Sequence, residues 1–146
     1  MDAWDYAQPF VLQQRVADEH LDAMQHTNNV VYLSWIEMVA WAHSHALGLD
    51  FSDYQRLGAG IVARRHEIDY LAPTRRDDEI ELATWIIARD RLSLHRAYQF
   101  RRRGDGLTVL RARTHWVCVD MQTGRPRRMP EEFIVAYQVQ ADAHPL

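Results

Sequence analysis

Residues 30–48 read Val-Val-Tyr-Leu-Ser-Trp-Ile-Glu-Met-Val-Ala-Trp-Ala-His-Ser-His-Ala-Leu-Gly, and this stretch decides the fold. No Gly or Pro interrupts it before Gly48, a natural stop because glycine readily takes the left-handed conformation that closes a helix. Val31, Trp35, Met38, Ala42 and His45 or Ala46 recur three and four residues apart, and Val30, Leu33 and Trp41 widen the apolar surface. The pattern predicts a helix from Val30 to about Leu47, buried on more than one side. Asn28 or Asn29 is placed to cap it, since an Asx oxygen accepts from the exposed amides of a first turn.

Upstream, Ala17 to Asn29 is dense in Asp, Glu, His, Gln and Asn, a loop longer than a plain connection. Pro9 to Val16 before it reads as a strand. Downstream of Gly58-Ala59-Gly60 the period changes. Ile61 to Leu71, Glu79 to Arg89, Leu92 to Arg102 and Leu107 to Asp120 are runs rich in Ile, Val, Tyr, Trp and Thr. Pro73, Arg89-Asp90-Arg91 and Gly104-Asp105-Gly106 punctuate them, and such short links predict antiparallel neighbours. Thr123-Gly124-Arg125-Pro126 turns the chain, and Pro130 to Val139 predicts a short closing helix. The expected architecture is α+β: a five-stranded antiparallel sheet wrapped around one long central helix. One helix leaves part of such a sheet bare and a strand edge unpaired, so a homodimer is expected.

Composition bounds the chemistry. The 146 residues make one domain, residues 1–146, with no repeat or linker. Formal net charge is −3, so no overall basic field draws the chain to nucleic acid or anionic lipid. All 17 basic residues are Arg, which excludes Schiff-base and P-loop lysine chemistry. The single Cys118 excludes an internal disulfide and a thiolate metal cluster, and reads as a small buried hydrophobe. No apolar run is long enough to span a bilayer, and the first residues, Met1-Asp2-Ala3-Trp4-Asp5, lack the basic start of a secretory signal. A cytoplasmic location is expected.

Asp22-Ala23-Met24-Gln25-His26-Thr27-Asn28-Asn29 at the loop-to-helix junction holds the main candidate chemistry. A carboxylate seven residues before a helix start can fold back toward first-turn amides that have no partner in the helix and carry positive dipole. Amides that polarise a carbonyl and a carboxylate that attacks it, or activates a water, together form an acyl-transfer device. From spacing alone, a solvated loop acid and capping Asn residues are the commoner account of the same letters, since acids often precede helices.

The string Asp22-x-x-x-His26-x-Asn28-Asn29-x-x-Tyr32-Leu33-x-Trp35-x-Glu37 resembles the acyl-CoA thioesterases of the hotdog fold, nearest the 4-hydroxybenzoyl-CoA thioesterase type. Ile68-Asp69-Tyr70-Leu71-Ala72-Pro73 matches as well, as do Thr114 to Asp120 and Thr123-Gly124-Arg125-Pro126, so the resemblance runs in order over about residues 9–135. It implies a sheet wrapped on a central helix, a homodimer or homotetramer with active sites between subunits, and an acyl-CoA substrate. It also implies Asp22 as the catalytic acid and a helix-start amide at or beside Asn29 as the polarising donor. This chain departs from the usual pattern at His20, where many relatives have an acid, and at Gln25, where they have Gly.

Other candidates are weighed on chemistry. Glu37 is a rival carboxylate on the helix, and a second hotdog branch uses an acid there. His26 either orients the loop or donates to the acyl carbonyl, and His66 on a strand is a candidate cleft contact. Trp35 is a candidate wall for an aromatic or cationic acyl group, whereas Trp41, Trp85 and Trp116 read as core. Arg89 and Arg91 at one turn, and Arg125, Arg127 and Arg128 at another, are candidates for coenzyme A phosphates, because guanidinium forks suit them. His43 and His45 are two apart on a helix and face different ways, so no metal is expected, and no cofactor either. Two other functions remain open: a hotdog dehydratase or isomerase acting on acyl-CoA without hydrolysis, and a non-catalytic acyl-thioester binding module.

Overall fold

The structure is a computed structural model that describes residues 2–143; Met1 and residues 144–146 of the expected domain lie outside the described residues. Strand β1 spans Phe10–Arg15 and α1 spans Asn29–Ala46, with one 3₁₀ turn, Asp18–His20, in the loop between. Asn28 caps α1, its side chain accepting from the Val30 amide at 3.0 Å, and Gly48 follows the helix at φ 90°. Helix α2 (Phe51–Leu57) comes next, then β2 (Ala59–Tyr70), β3 (Glu79–Arg89), β4 (Ser93–Arg102), β5 (Thr108–Asp120) and α3 (Glu131–Ala136).

The five strands form one antiparallel sheet in the order β1-β3-β4-β5-β2, curled around α1 in the hotdog arrangement. Tight turns make neighbours of β3, β4 and β5, as their short links require. The link after β2 behaves otherwise. It leaves one edge, with Leu71 donating to Val109, passes the Asp22 loop, and reaches the other edge, where Asp77 donates to Val16. Eight residues in extended form reach roughly 26 Å, so β2 pairs with β5 while β3 lies beside β1. The expected antiparallel pairing across Pro73 is therefore corrected.

Strand alternation divides the apolar residues between two sides. Tyr32, Trp35, Ile36, Val39 and Ala40 of α1 pack with Ile80, Leu82, Leu94, Tyr98, Phe100 and Leu110 in the main core. Each fully buried aliphatic or aromatic side chain there contributes about 1.5–3 kcal/mol. Ala83, Trp85, Ile87 and Ala97 face the opposite way into a smaller cluster. This outer side is not bare over β3 and β4, because residues 2–8 lie across it. Trp85 Nε1 donates to the Ala7 carbonyl at 2.9 Å, Gln99 to Ala3 at 3.0 Å, and the Arg101 guanidinium sits 3.8 Å over the Trp4 ring. The expectation that one helix alone covers the sheet is corrected accordingly. No helix among the described residues is long and apolar enough to cross a membrane.

Candidate active site

The Asp22 loop is shaped by its own backbone. The Asp22 amide donates to the His26 carbonyl at 2.8 Å and Gln25 donates back to the Asp22 carbonyl at 3.0 Å. Gln25, at the tip, has φ 60°, a left-handed conformation that glycine takes without cost and other residues do not. Asp22 Oδ1 accepts from the Met24 amide at 2.9 Å and the His26 amide at 3.3 Å. Oδ2 meets no protein donor among the described residues, so one oxygen alone fixes the carboxylate.

The loop is pinned to the helix from below. Thr27 donates its amide to the Thr74 carbonyl at 2.8 Å, and the Thr74 hydroxyl lies 2.6 Å from those of both Thr27 and Tyr32. All three side chains are buried, and burial pushes the Tyr32 phenol above its ordinary range. Tyr70 donates to the Asn29 carbonyl at 3.3 Å. The second sequence segment thus folds onto the first, and Tyr70 to Pro73 form one wall of a cleft of about 230 Å³ opposite Asp22, His26 and Asn29.

Helix α1 opens into this cleft. The Val30 amide is taken by the Asn28 side chain and the Val31 amide by the Asn28 carbonyl. Asn29 N–H meets no acceptor among the described residues, and it carries the positive end of the helix dipole. Asp22, His26 and Asn29 are therefore brought together, with a free amide on one side and a free carboxylate oxygen on another.

The other candidates lie elsewhere. Trp35 is only 3% exposed, edge-on to His20 and Tyr32 beneath the loop, and does not line the cleft. His66 reaches Thr114 at 2.7 Å through Nδ1 and Glu37 at 3.7 Å through Nε2, further along the groove between α1 and β2. Arg91 and the Arg125–Arg128 segment meet one another, with Met129 donating to the Arg91 carbonyl and Arg127 to Cys118. Arg89 ends β3 in the same region. Cys118 pairs with Ile61, while Leu110 pairs with Tyr70 at the Asp22 end. Eight residues of strand separate the two ends, roughly 26 Å. Within one chain these arginines lie at the far end of the sheet from the Asp22 cleft. Sequence reading missed Thr74 and the role of Thr27, whose signal was their place beside the two matched segments. Cys118 is fully buried, and burial raises its thiol pKa.

The sequence profile of the thioesterase-like superfamily matches residues 16–137. The chain belongs to the thioesterase-like superfamily. As a member it is a hydrolase acting on thioester bonds. No curated protein matches the chain. Solved structures similar to this thioesterase-like chain include SAV2348 from Staphylococcus aureus in complex with CoA, at 19% identity over 92% of this chain and 85% of that one, with TM-score 0.84. Slr0204, a 1,4-dihydroxy-2-naphthoyl-CoA thioesterase from Synechocystis, is 16% identical over 94% of this chain and 100% of that one, with TM-score 0.81. YbaW, a probable thioesterase from Escherichia coli, is 22% identical over 88% and 98%, with TM-score 0.77. At these identities the likeness establishes the fold.

Proposed function

We propose that this chain hydrolyses an acyl-CoA thioester to free acid and coenzyme A, with Asp22 as the reacting acid. The observation that carries this reading is one cleft lined by both Asn29, whose amide meets no acceptor, and Asp22, whose carboxylate is held through Oδ1 alone among the described residues. The amide polarises the thioester carbonyl and holds the negative charge that develops on its oxygen. Asp22 Oδ2 then attacks the carbonyl carbon to give an acyl–Asp22 anhydride that water hydrolyses to the free acid, or takes a proton from a water that attacks directly, and on either route the coenzyme A thiolate leaves. Solvent-oxygen label entering Asp22 in a single turnover, or a trapped acyl-enzyme, marks the first route, and label confined to the product with no acyl-enzyme trapped marks the second. His26 borders the carbonyl and serves as an auxiliary donor.

Asp22→Asn keeps the shape of the side chain and its acceptor for the loop amides. Thiol release from a panel of acyl-CoAs is expected to fall at least about 100-fold in this variant. An undiminished rate removes Asp22 from the mechanism. One observation favours a second acid: Glu37 stands 3.7 Å from His66, a carboxylate–imidazole pair between α1 and β2. Glu37→Gln measured beside Asp22→Asn separates the two. Alkene absorbance without thiol release would instead support the dehydratase or isomerase reading, and tight coenzyme A binding without turnover the binding module.

The working unit we infer is a homodimer, or a tetramer of two such dimers. Strand β2 has no neighbour on its outer side among the described residues, and Val30, Trp41, Val62 and Leu71 stand exposed on α1 and along β2. Antiparallel pairing of two β2 edges about a two-fold axis buries both features. It also runs the partner's sheet in the reverse direction, carrying the partner's arginine-rich end toward this chain's Asp22 end. In that assembly Arg91, Arg125, Arg127 and Arg128 regain a path to coenzyme A phosphates.

A further inference from the structure

At the opposite end of α1 from Asp22 lies a fully buried cation. Arg96 of β4 is 2% exposed, and among the described residues it forms no ion pair with a carboxylate. Its guanidinium donates to His43 Nδ1 at 2.7 Å and to Ser44 Oγ at 3.2 Å, and its carbon lies 5.9 Å from the centre of the Tyr137 ring. A buried lone charge is tolerated only where fixed dipoles replace water, and the closing turn of α1 supplies its negative end there.

The cation has a further effect on the hydroxyls beyond it. Ser44 Oγ is 3.0 Å from the Tyr137 hydroxyl, which is 2.6 Å from that of Tyr54. A hydroxyl next to a fixed positive charge turns its oxygen toward the charge and its proton away. Ser44 therefore donates to Tyr137, Tyr137 donates to Tyr54, and the Tyr54 proton is left over at the end of the row. Burial holds the Tyr54 phenol well above its ordinary range, so it stays a neutral donor. Ser44, Tyr54 and Tyr137 line a small cavity of about 20 Å³, walled by Trp41, Ile61, Leu94 and Trp116, with room for one terminal group.

We propose that this cavity receives the far end of the acyl group, and that Tyr54 donates to an oxygen carried there. The proposal rests on the thioesterase reading above. The Asp22 cleft is lined by Asn29 and Tyr32 of α1 with Tyr70 of β2, and the cavity by Trp41 and Ser44 of α1 with Ile61 of β2, so both lie between the same two elements, and Asn29 to Ser44 spans about 22 Å at the helical rise. An acyl group joining them is long-chain, and the favoured class bears a hydroxyl or carbonyl oxygen at its terminus.

The test compares ω-hydroxypalmitoyl-CoA with palmitoyl-CoA by kcat/KM, in the unchanged protein and in Tyr54→Phe. The ratio is expected to favour the hydroxylated substrate about tenfold and to fall to near one in the variant, the effect of one buried hydrogen bond. Ser44→Ala, which breaks the row but leaves Tyr54 in place, lowers the ratio as well. A ratio near one in the unchanged protein overturns the proposal. So does a ratio that survives Tyr54→Phe, including the case where only the melting temperature drops. If neither substrate releases thiol, the thioesterase reading fails instead. Calorimetric binding of ω-hydroxypalmitate against palmitate then decides the cavity by the same tenfold criterion.

Discussion

Gln25 holds φ at 60° at the tip of the turn that presents Asp22. An L side chain in that region costs about 1 kcal/mol, which glycine avoids. Gln25→Gly is therefore expected to raise stability by about 1 kcal/mol, read as a higher denaturant midpoint; a lower midpoint contradicts the strain. Asn28→Ala removes the acceptor for the Val30 amide and lowers stability by about 1 kcal/mol in the same assay. At this scale the sequence was informative where the chemistry is local. An Asx residue before a helix has few other uses, and the departure at Gln25 falls where the backbone turns left-handed. The double hold of loop amides on Asp22 Oδ1 was hidden, because it depends on the loop closing on itself.

At the scale of elements, α1 meets β4 through His43 and Arg96. Burial, and secondly the Arg96 guanidinium, push the His43 imidazole down to about 4, against its ordinary 6.5. Between those values the unfolded chain binds a proton that the folded chain refuses, so it gains relative stability as pH drops. The contribution of His43 is full above pH 6.5 and declines toward about 4, by about 3 kcal/mol in all. His43→Asn keeps an acceptor for Arg96 without titrating, and a melting temperature followed across that window is expected to flatten in this variant. Thr74→Val strips partners from Thr27 and Tyr32 in the buried hydroxyl cluster. It is expected to cost about 2 kcal/mol in a denaturant titration and to loosen the Asp22 loop. The bounds of β3, β4 and β5 could be read from strand period and turn residues. Helix α2 escaped notice because seven residues carry little periodicity; its signal was Asp50 before it, with Asp53 three residues on. Arg96 escaped too, although it shares a strand face with Leu94, Tyr98 and Phe100, where a charge is out of place.

For the molecule as a whole, the order of hydrophobic periods was enough to forecast a sheet around one helix. It did not give the path after β2, since a link's length does not say which edge it reaches. The proposed dimer can be checked by sedimentation velocity. The chain is expected to sediment as a dimer or larger, and Val62→Asp, which puts a charge on the free edge, is expected to yield monomer. Sedimentation as a monomer without any substitution would remove the shared active site. The opening residues also bear on how copies stack. Since residues 2–8 blanket β3 and β4, with Trp4 under Arg101 and the Trp85 indole tied to Ala7, two sheets stacked back to back there would meet through this segment and not strand on strand. Trimming residues 2–8 would uncover Trp85 and its apolar neighbours and open a new sticky plane.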